Sequence, residues 1–327
     1  MYDVVVIGAG PVGLACAIAA QRQGLNTLTI DKGTLVNSLV GYPTNMEFFS
    51  TPDLLEIGDH PFPTQRYKPI REEALDYYRR VARTEQLALR LYERVRDVSG
   101  HDGAFTIATD KDVYTTRKVV VAIGFFDTPN RLNIPGEDLP KVSHYYKEPY
   151  AYTGRELAVI GAKNSAAKAA LAAYRHGARV SLIIRGPELS TSIKYWLRPD
   201  LSNRIEEGSI TAYFNTTVSK ITPTELHLQT PDGPKAIPND FTLAMTGYRP
   251  DYPFLQHIGI ALEEDEALTP VYNENTFETN RPGLYLAGTV CGGLRTSRWF
   301  IENGRFHAQV IAQHIAQQDV ATEPIMR

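Results

Sequence analysis

MYDVVVIGAGPVGLACAIAAQRQGLNTLTIDK, residues 1–32, decides the fold. Asp3 to Ile7 is a short β-branched run, apolar on both faces, and suits a central parallel strand. GAGPVG follows, with Gly8, Gly10 and Gly13. Pro11 to Gln23 is rich in Ala and Leu and reads as a helix, closed by Gly24. Asn26 to Ile30 reads as a second strand with Asp31 at its end. This is a βαβ unit whose glycines have separate tasks. Gly8 permits the tight turn, Gly10 clears space for a pyrophosphate, and Gly13 lets helix and strand pack closely. The helix amides and dipole then hold the anion. Asp31, 18 residues beyond Gly13, is placed to bond the ribose hydroxyls of a dinucleotide.

The same unit returns. Leu157 to Ile160 reads as a strand running into GAKNSA, Ala166 to His176 as an Ala-rich helix closed by Gly177, and Arg179 to Ile184 as a strand. The offsets 161 − 8 and 177 − 24 are both 153, so the two units stand in register. Two dinucleotide-binding folds are expected. In the second cluster Gly161 remains, while Lys163 and Ala166 replace the second and third glycines. Ala is an accepted variant at the last place, and Lys163 adds positive charge beside a phosphate. The second strand ends Ile184-Arg185-Gly186, with no acid. Arg185, helped by Lys194, suits a ribose 2′-phosphate and hence NADPH.

A further echo sets the domain order. Val119 to Gly124 (VVVAIG) and Thr242 to Gly247 (TLAMTG) are apolar runs ending in glycine, each followed by aromatic and proline residues. They suit segments that carry the chain between domains. The expected architecture is α/β, with two Rossmann-like dinucleotide-binding domains, the second inserted in the first. Residues 1–123 and 244–327 would form the outer domain and 124–243 the inserted one. Near the end, Pro282 to Gly288 reads as a strand ending in glycine, then TVCGG, then a helix through RWFIENGRFHAQVIAQHIA.

Composition narrows the function. The chain has 327 residues, 43% of them hydrophobic, which suffices for two packed domains. A formal net charge of −3 gives no global basic field, so nucleic-acid and anionic-membrane binding are not expected. The two cysteines, Cys16 and Cys291, supply no disulfide framework, no CxxC and no metal-cluster spacing, so no metal is expected. No apolar run reaches the roughly 20 residues that span a bilayer, and the opening lacks a signal-peptide pattern. A cytoplasmic protein is expected.

This layout resembles the low-molecular-weight thioredoxin reductases over nearly the whole chain, but the inserted domain holds no cysteine. The usual dithiol relay to thioredoxin is therefore excluded. Four stretches resemble a narrower group, the bacillithiol-disulfide reductases. They are NSLVGYPTNMEFFST (Asn37 to Thr51), LEIGDHPF (Leu55 to Phe62), AKNSA (Ala162 to Ala166) and FIENGRFH (Phe300 to His307). The resemblance implies an FAD-dependent, NADPH-driven enzyme that reduces a low-molecular-weight disulfide to thiols. It makes the outer domain the FAD-binding one and the inserted domain the NADPH-binding one. A homo-oligomer, dimer or tetramer, is expected.

The expected FAD residues are Gly8, Gly10, Pro11, Val12, Gly13, Asp31, Lys32, Asn37, Ser38, Ser50, Val95, Gly124, Gly288 and Thr289. The expected NADPH residues are Gly161, Lys163, Asn164, Ser165, Ala166, Arg185, Lys194 and Gly247. Two departures stand out. The reductases resembled usually have Gly-Asp where this chain has Gly288-Thr289. Many of the bacillithiol group carry a cysteine inside the first glycine motif, where this chain has Val12. Cys291, beside a helix N-terminus that would lower its pKa, is one candidate thiol. Cys16, one helical turn beyond Val12, is another, with a small buried hydrophobe as its plainer reading. His307 is a candidate proton donor, with a capped helix histidine as the alternative. Two other functions stay open: a ferredoxin- or flavodoxin-NADP reductase, which shares the architecture, and a non-catalytic flavin redox sensor. The mildly acidic balance and the short end, QQDVATEPIMR, favour the disulfide reductase.

Overall fold

The computed structural model describes the backbone of residues 1–322 and the side chains through residue 318; residues 323–327 of the short tail lie outside the described residues. The chain divides into two compact units. One comprises Met1–Val40, Asn45–Thr128 and Tyr248–Arg327, and the other comprises Gly41–Thr44 and Pro129–Gly247. The chain thus changes unit after Thr128 and after Gly247, a few residues later than the sequence pattern suggested, and a four-residue piece near Tyr42 also joins the inserted unit. Among the described residues, no helix is long and apolar enough to cross a membrane.

The outer unit is built on a seven-stranded sheet. Its order is Leu89–Arg90, Thr27–Ile30, Tyr2–Ile7, Val113–Val121, Ala104–Thr109, Val95–His101, with Leu284–Leu286 paired to Val113–Val121. Tyr2–Ile7 lies centrally and runs parallel to both neighbours, with Val4, Val5 and Val6 fully buried. That is why its side chains are apolar on both faces. Register matters for the site. Ile7 faces Ile30 on one side and Val121 on the other, and Leu286 faces Val121. Three of the segments leaving these strands, at Gly8, Asp31 and Ala122, therefore emerge together at the carboxyl edge, and Ala287 joins them. Ligands of open α/β sheets bind at such an edge. The opening helix, Pro11–Arg22, packs on the long final helix, His307–Thr322.

The inserted unit repeats the plan on a five-stranded sheet, ordered Ile210–Tyr213, Arg179–Ile183, Glu156–Ile160, Phe241–Ala244, Val142–Ser143. Ile160 faces Ile183 and Ala244, so Gly161, Ile184-Arg185 and Met245 leave from one edge. The helix Asn164–Arg175 buries six residues, five of them alanines, against the strands. A three-stranded antiparallel sheet, Thr217–Ile221, Glu225–Thr230 and Gly233–Pro238, covers the other face through Ile221, Leu226, Leu228 and Ile237.

The tail of the outer unit differs from the expected strand-then-helix. Gly288–Gly292 forms a 3-10 turn, Ile301–Gly304 a single helical turn, and the long helix starts only at His307. Two contacts shape the short turn, one at its start and one at its end. The Asn303 side-chain oxygen accepts the Phe300 N–H at 2.7 Å. A Cβ on Gly304 would sit only 3.3 Å from the Gly288 Cα, so this turn is pressed against the end of the Leu284–Leu286 strand. Tertiary packing overrides the helical pattern of RWFIENGRFH.

Candidate functional site

The two glycine turns share one geometry. Gly8 has φ +112° and Gly161 φ +145°, and a Cβ on either would approach a carbonyl oxygen of the adjacent strand exit at 2.5 Å, Ala122 for Gly8 and Met245 for Gly161. Both positions need glycine for conformation and for space. The turns differ at their third positions. A Cβ on Gly13 would fall 1.9 Å from the Gly8 carbonyl oxygen, while Ala166 carries its Cβ in the inserted unit and is buried. The second turn accommodates the Ala166 methyl where the first has no space for one. Both helices start without a side-chain cap: the extended N-cap residues are Gly10, which has no side chain, and Lys163, whose ammonium can only donate. Uncapped first-turn amides are anion donors. A Cβ on Gly10 would meet no atom within 4 Å, so this glycine leaves open space at the helix start.

Around the first turn, the structure gathers several expected residues. Asp31 Oδ2 accepts the Ala9 N–H at 2.7 Å and Oδ1 accepts the Gly33 N–H at 2.7 Å. The carboxylate thus closes the glycine turn, a task the sequence did not reveal. Burial pushes the Asp31 carboxyl up from its ordinary value, opposed by those two amides. Lys32 pairs with Asp127 at 3.0 Å. A Cβ on Gly288 would touch the Val12 side chain at 3.2 Å, and one on Gly124 would lie 3.4 Å from Thr289 Oγ1. Gly124, Gly288 and Thr289 therefore join Val12 at one edge of the sheet. Asn37 opens the short helix Asn37–Gly41, which also holds Ser38, and its Oδ1 accepts the Thr34 N–H at 3.4 Å. Ser50 donates to Glu302 Oε2 at 2.5 Å, and Val95 is buried at the start of an antiparallel strand.

In the inserted unit, Arg185 is exposed at the end of its strand, and Lys163 and Ser165 are exposed at the helix start. Asn164 has a structural task. Its Nδ2 donates to the Ser192 carbonyl at 3.0 Å and its Oδ1 accepts the Lys194 N–H at 2.9 Å, tying the loop that carries Lys194 to the helix start. Gly247 belongs to a zipped connection: Asn130 N–H donates to the Gly247 carbonyl at 2.9 Å, and Thr246 Oγ1 donates to the Asn130 carbonyl at 2.5 Å.

The thiols do not match a helix-activated nucleophile. Cys291 lies inside the 3-10 turn and is fully buried, and burial pushes its thiol well above the ordinary value instead of a helix end lowering it. Cys16 is buried in the opening helix, its thiol pushed up to about 12 by the same cause. His307 is buried at the start of the long helix. Its Nδ1 accepts the Gly288 N–H at 3.1 Å, with Cys291 Sγ 3.9 Å away. Burial, and then the charge of Arg298, lowers the imidazole to about 4.

A glycine turn and an uncapped helix start at a sheet edge are present twice, with a closing carboxylate at the first and an exposed arginine at the second, as in an oxidoreductase with two dinucleotide-binding folds. Residues 5–288 match the family described as pyridine nucleotide-disulphide oxidoreductase, and the chain belongs to it. It is 43% identical over 319 residues, 96% of this chain and 98% of the relative, to bacilliredoxin reductase Bdr of Bacillus subtilis (strain 168). A solved structure, bacillithiol disulfide reductase Bdr (YpdA) from Bacillus cereus, is 43% identical and superposes with a TM-score of 0.94 over 97% of this chain and 99% of that one. A thioredoxin reductase from T. acidophilum shares the fold at 21% identity, with a TM-score of 0.77 over 98% of this chain and 99% of that one. The chain is an enzyme of this flavin-dependent, pyridine nucleotide-using class, with a thioredoxin-reductase-like fold.

Proposed function

We propose that the chain uses NADPH and FAD to reduce a low-molecular-weight disulfide, bacillithiol disulfide, to free thiols. The observation carrying this reading is the end-to-end likeness to the Bdr proteins together with the absence of a CxxC from the sequence. The same likeness favours it over the ferredoxin-NADP reductase and redox-sensor readings. The outer unit is the FAD-binding one and the inserted unit the NADPH-binding one. The enzyme works in the cytoplasm as a homo-oligomer.

The residues present fit both dinucleotides. Gly10 leaves the space a pyrophosphate needs, and the uncapped amides after it donate to the anion. Each Asp31 oxygen accepts one main-chain N–H and keeps a lone pair for a ribose hydroxyl. Thr289 offers a hydroxyl beside Gly124 where the family usually has a carboxylate. Lys163 and Arg185 stand exposed at the second edge and give NADPH its phosphate partners. When bound, the cofactor pair supplies hydride acceptance and two-electron delivery, so that NADPH, one proton and a disulfide give NADP+ and two thiols. No protein thiol relays the electrons: Cys16 and Cys291 are buried, keep their protons, and offer little of the thiolate that attacks a disulfide.

The test is anaerobic turnover with oxidised bacillithiol. Two thiols should appear per NADPH consumed, and Cys16→Ser and Cys291→Ser should each keep turnover within about threefold of wild type. A loss of several orders of magnitude in Cys291→Ser, with flavin bleaching by NADPH intact, would establish a relay through that thiol. Rapid reduction of ferredoxin with no disulfide turnover would overturn the substrate.

A further inference from the structure

His307 was a candidate acid, yet its surroundings give it another task. The Leu284–Leu286 strand ends where the Ala287 N–H donates to the Val121 carbonyl at 3.0 Å, the last rung of the sheet. The next residue, Gly288, turns into the left-handed region at φ +80° and is buried. Its N–H has left the ladder, and a buried amide without an acceptor is costly. The imidazole Nδ1 of His307 supplies that acceptor at 3.1 Å.

The ring is held for this purpose. Phe277 stacks on it, with centroids 3.9 Å apart and planes 20° from parallel, and Trp299 meets it edge-on at 4.4 Å and 87°. Phe277 itself sits at φ +61°, in the left-handed region that a phenylalanine rarely adopts, so the surrounding packing fixes its backbone. Because Nδ1 accepts, the ring proton is on Nε2. Cys291 Sγ, 3.9 Å from the same Nδ1, is the second group on that atom, and its retained proton also points to Nδ1 as an acceptor.

We propose that His307 is a positioning residue for the flavin site: by accepting the Gly288 N–H it holds the Ala287-Gly288-Thr289 bend in the shape that leaves room beside Gly124 and Val12 for the ribityl chain. It is not the proton donor to substrate. This rests on the FAD reading above, because the bend matters only if flavin binds there. The bend lies close to its neighbours: a Cβ on Gly288 would come within 3.2 Å of the Val12 side chain, and one on Gly124 within 3.4 Å of Thr289 Oγ1, so a displaced Gly288 would alter this edge.

The test compares His307→Asn, whose amide oxygen can replace Nδ1, with His307→Leu, which cannot accept a hydrogen bond. Two readouts are taken. Hydrogen exchange of the 284–290 segment is followed in flavin-free protein, and FAD affinity is measured by fluorescence quenching on reconstitution. His307→Leu should exchange the Gly288 amide at least tenfold faster and bind FAD at least tenfold more weakly, with NADP+ affinity unchanged. His307→Asn should recover most of both. Unchanged exchange and FAD affinity in the Leu variant would overturn the proposal. So would an Asn variant that binds FAD normally but loses an ionisation from its pH–rate profile, the mark of a proton donor. Failure of the wild type to bind FAD would overturn the function proposed above, and the exchange data would still decide whether His307 fixes Gly288.

Discussion

At the scale of single residues, glycines that look alike in the motif have different physics. Gly13 has no room: a Cβ there would overlap the Gly8 carbonyl at 1.9 Å. Gly10 has room, at φ −74° and ψ 173°, a backbone any residue adopts. Gly13→Ala should therefore lower stability by ~1–3 kcal/mol, the usual cost of overpacking, and thermal melts will read it. Gly10→Val should purify without flavin and melt like flavin-free wild type, because its side chain fills only the ligand's space; a yellow, flavin-replete Gly10→Val protein would move the pyrophosphate elsewhere. His307 gives a pH prediction. Its imidazole is lowered from 6.5 to about 4 by burial and Arg298, so the unfolded chain binds a proton more readily than the native one between those values. Stability is thus full above about pH 6.5 and falls as the pH drops towards 4. Urea unfolding at pH 7.5 and 4.5 should show the loss, and His307→Asn should shrink it.

At the scale of elements, the two βαβ units were legible because their information is local. The strand Tyr2–Ile7, the helix Pro11–Arg22 and the strand Thr27–Ile30 sit within one or two residues of the sequence reading, and the same holds for Glu156–Ile160, Asn164–Arg175 and Arg179–Ile183. What stayed hidden depends on distant partners. No pattern in RWFIENGRFH announces the Gly304–Gly288 contact at the short turn, and no motif announces that Asp31 bonds Ala9 and Gly33 or that His307 caps a strand end. The contrast between strand ends was legible: Asp31 follows Thr27–Ile30, and Arg185 follows Arg179–Ile183 past Ile184. Arg185→Ala should remove a charge-assisted contact with the 2′-phosphate, about 1.5–3 kcal/mol, or roughly tenfold to a hundredfold in the KM for NADPH. The KM for NADH should hardly move. Equal losses for both nucleotides would show that Arg185 does not read the phosphate.

At the scale of the whole molecule, each unit has its own sheet and its own buried core. In the inserted unit Leu157, Val159, Ala169, Ala170, Leu182 and Leu243 pack together in one buried cluster. Its nucleotide edge is likewise self-sufficient, since Asn164 ties the Lys194 loop to the helix start within the unit. Emptying the flavin site should therefore leave nucleotide binding intact. The chain offers a convenient probe, because it has two tryptophans, one in each unit: Trp196, 45% exposed just beyond Lys194, and Trp299, packed on His307. In the Gly10→Val, Trp299→Phe double variant, all tryptophan emission comes from the inserted unit and no flavin quenches it. Titration with NADP+ should change that emission with a dissociation constant within about twofold of the Trp299→Phe parent, as expected for sites that share no partners. Arg185→Ala added to the same protein should weaken NADP+ by the factor it shows in the flavin-replete enzyme, while disulfide turnover stays abolished throughout. If NADP+ affinity instead falls together with flavin content, the two dinucleotide folds are coupled in the free energy of binding, and the separation of roles between the units is wrong.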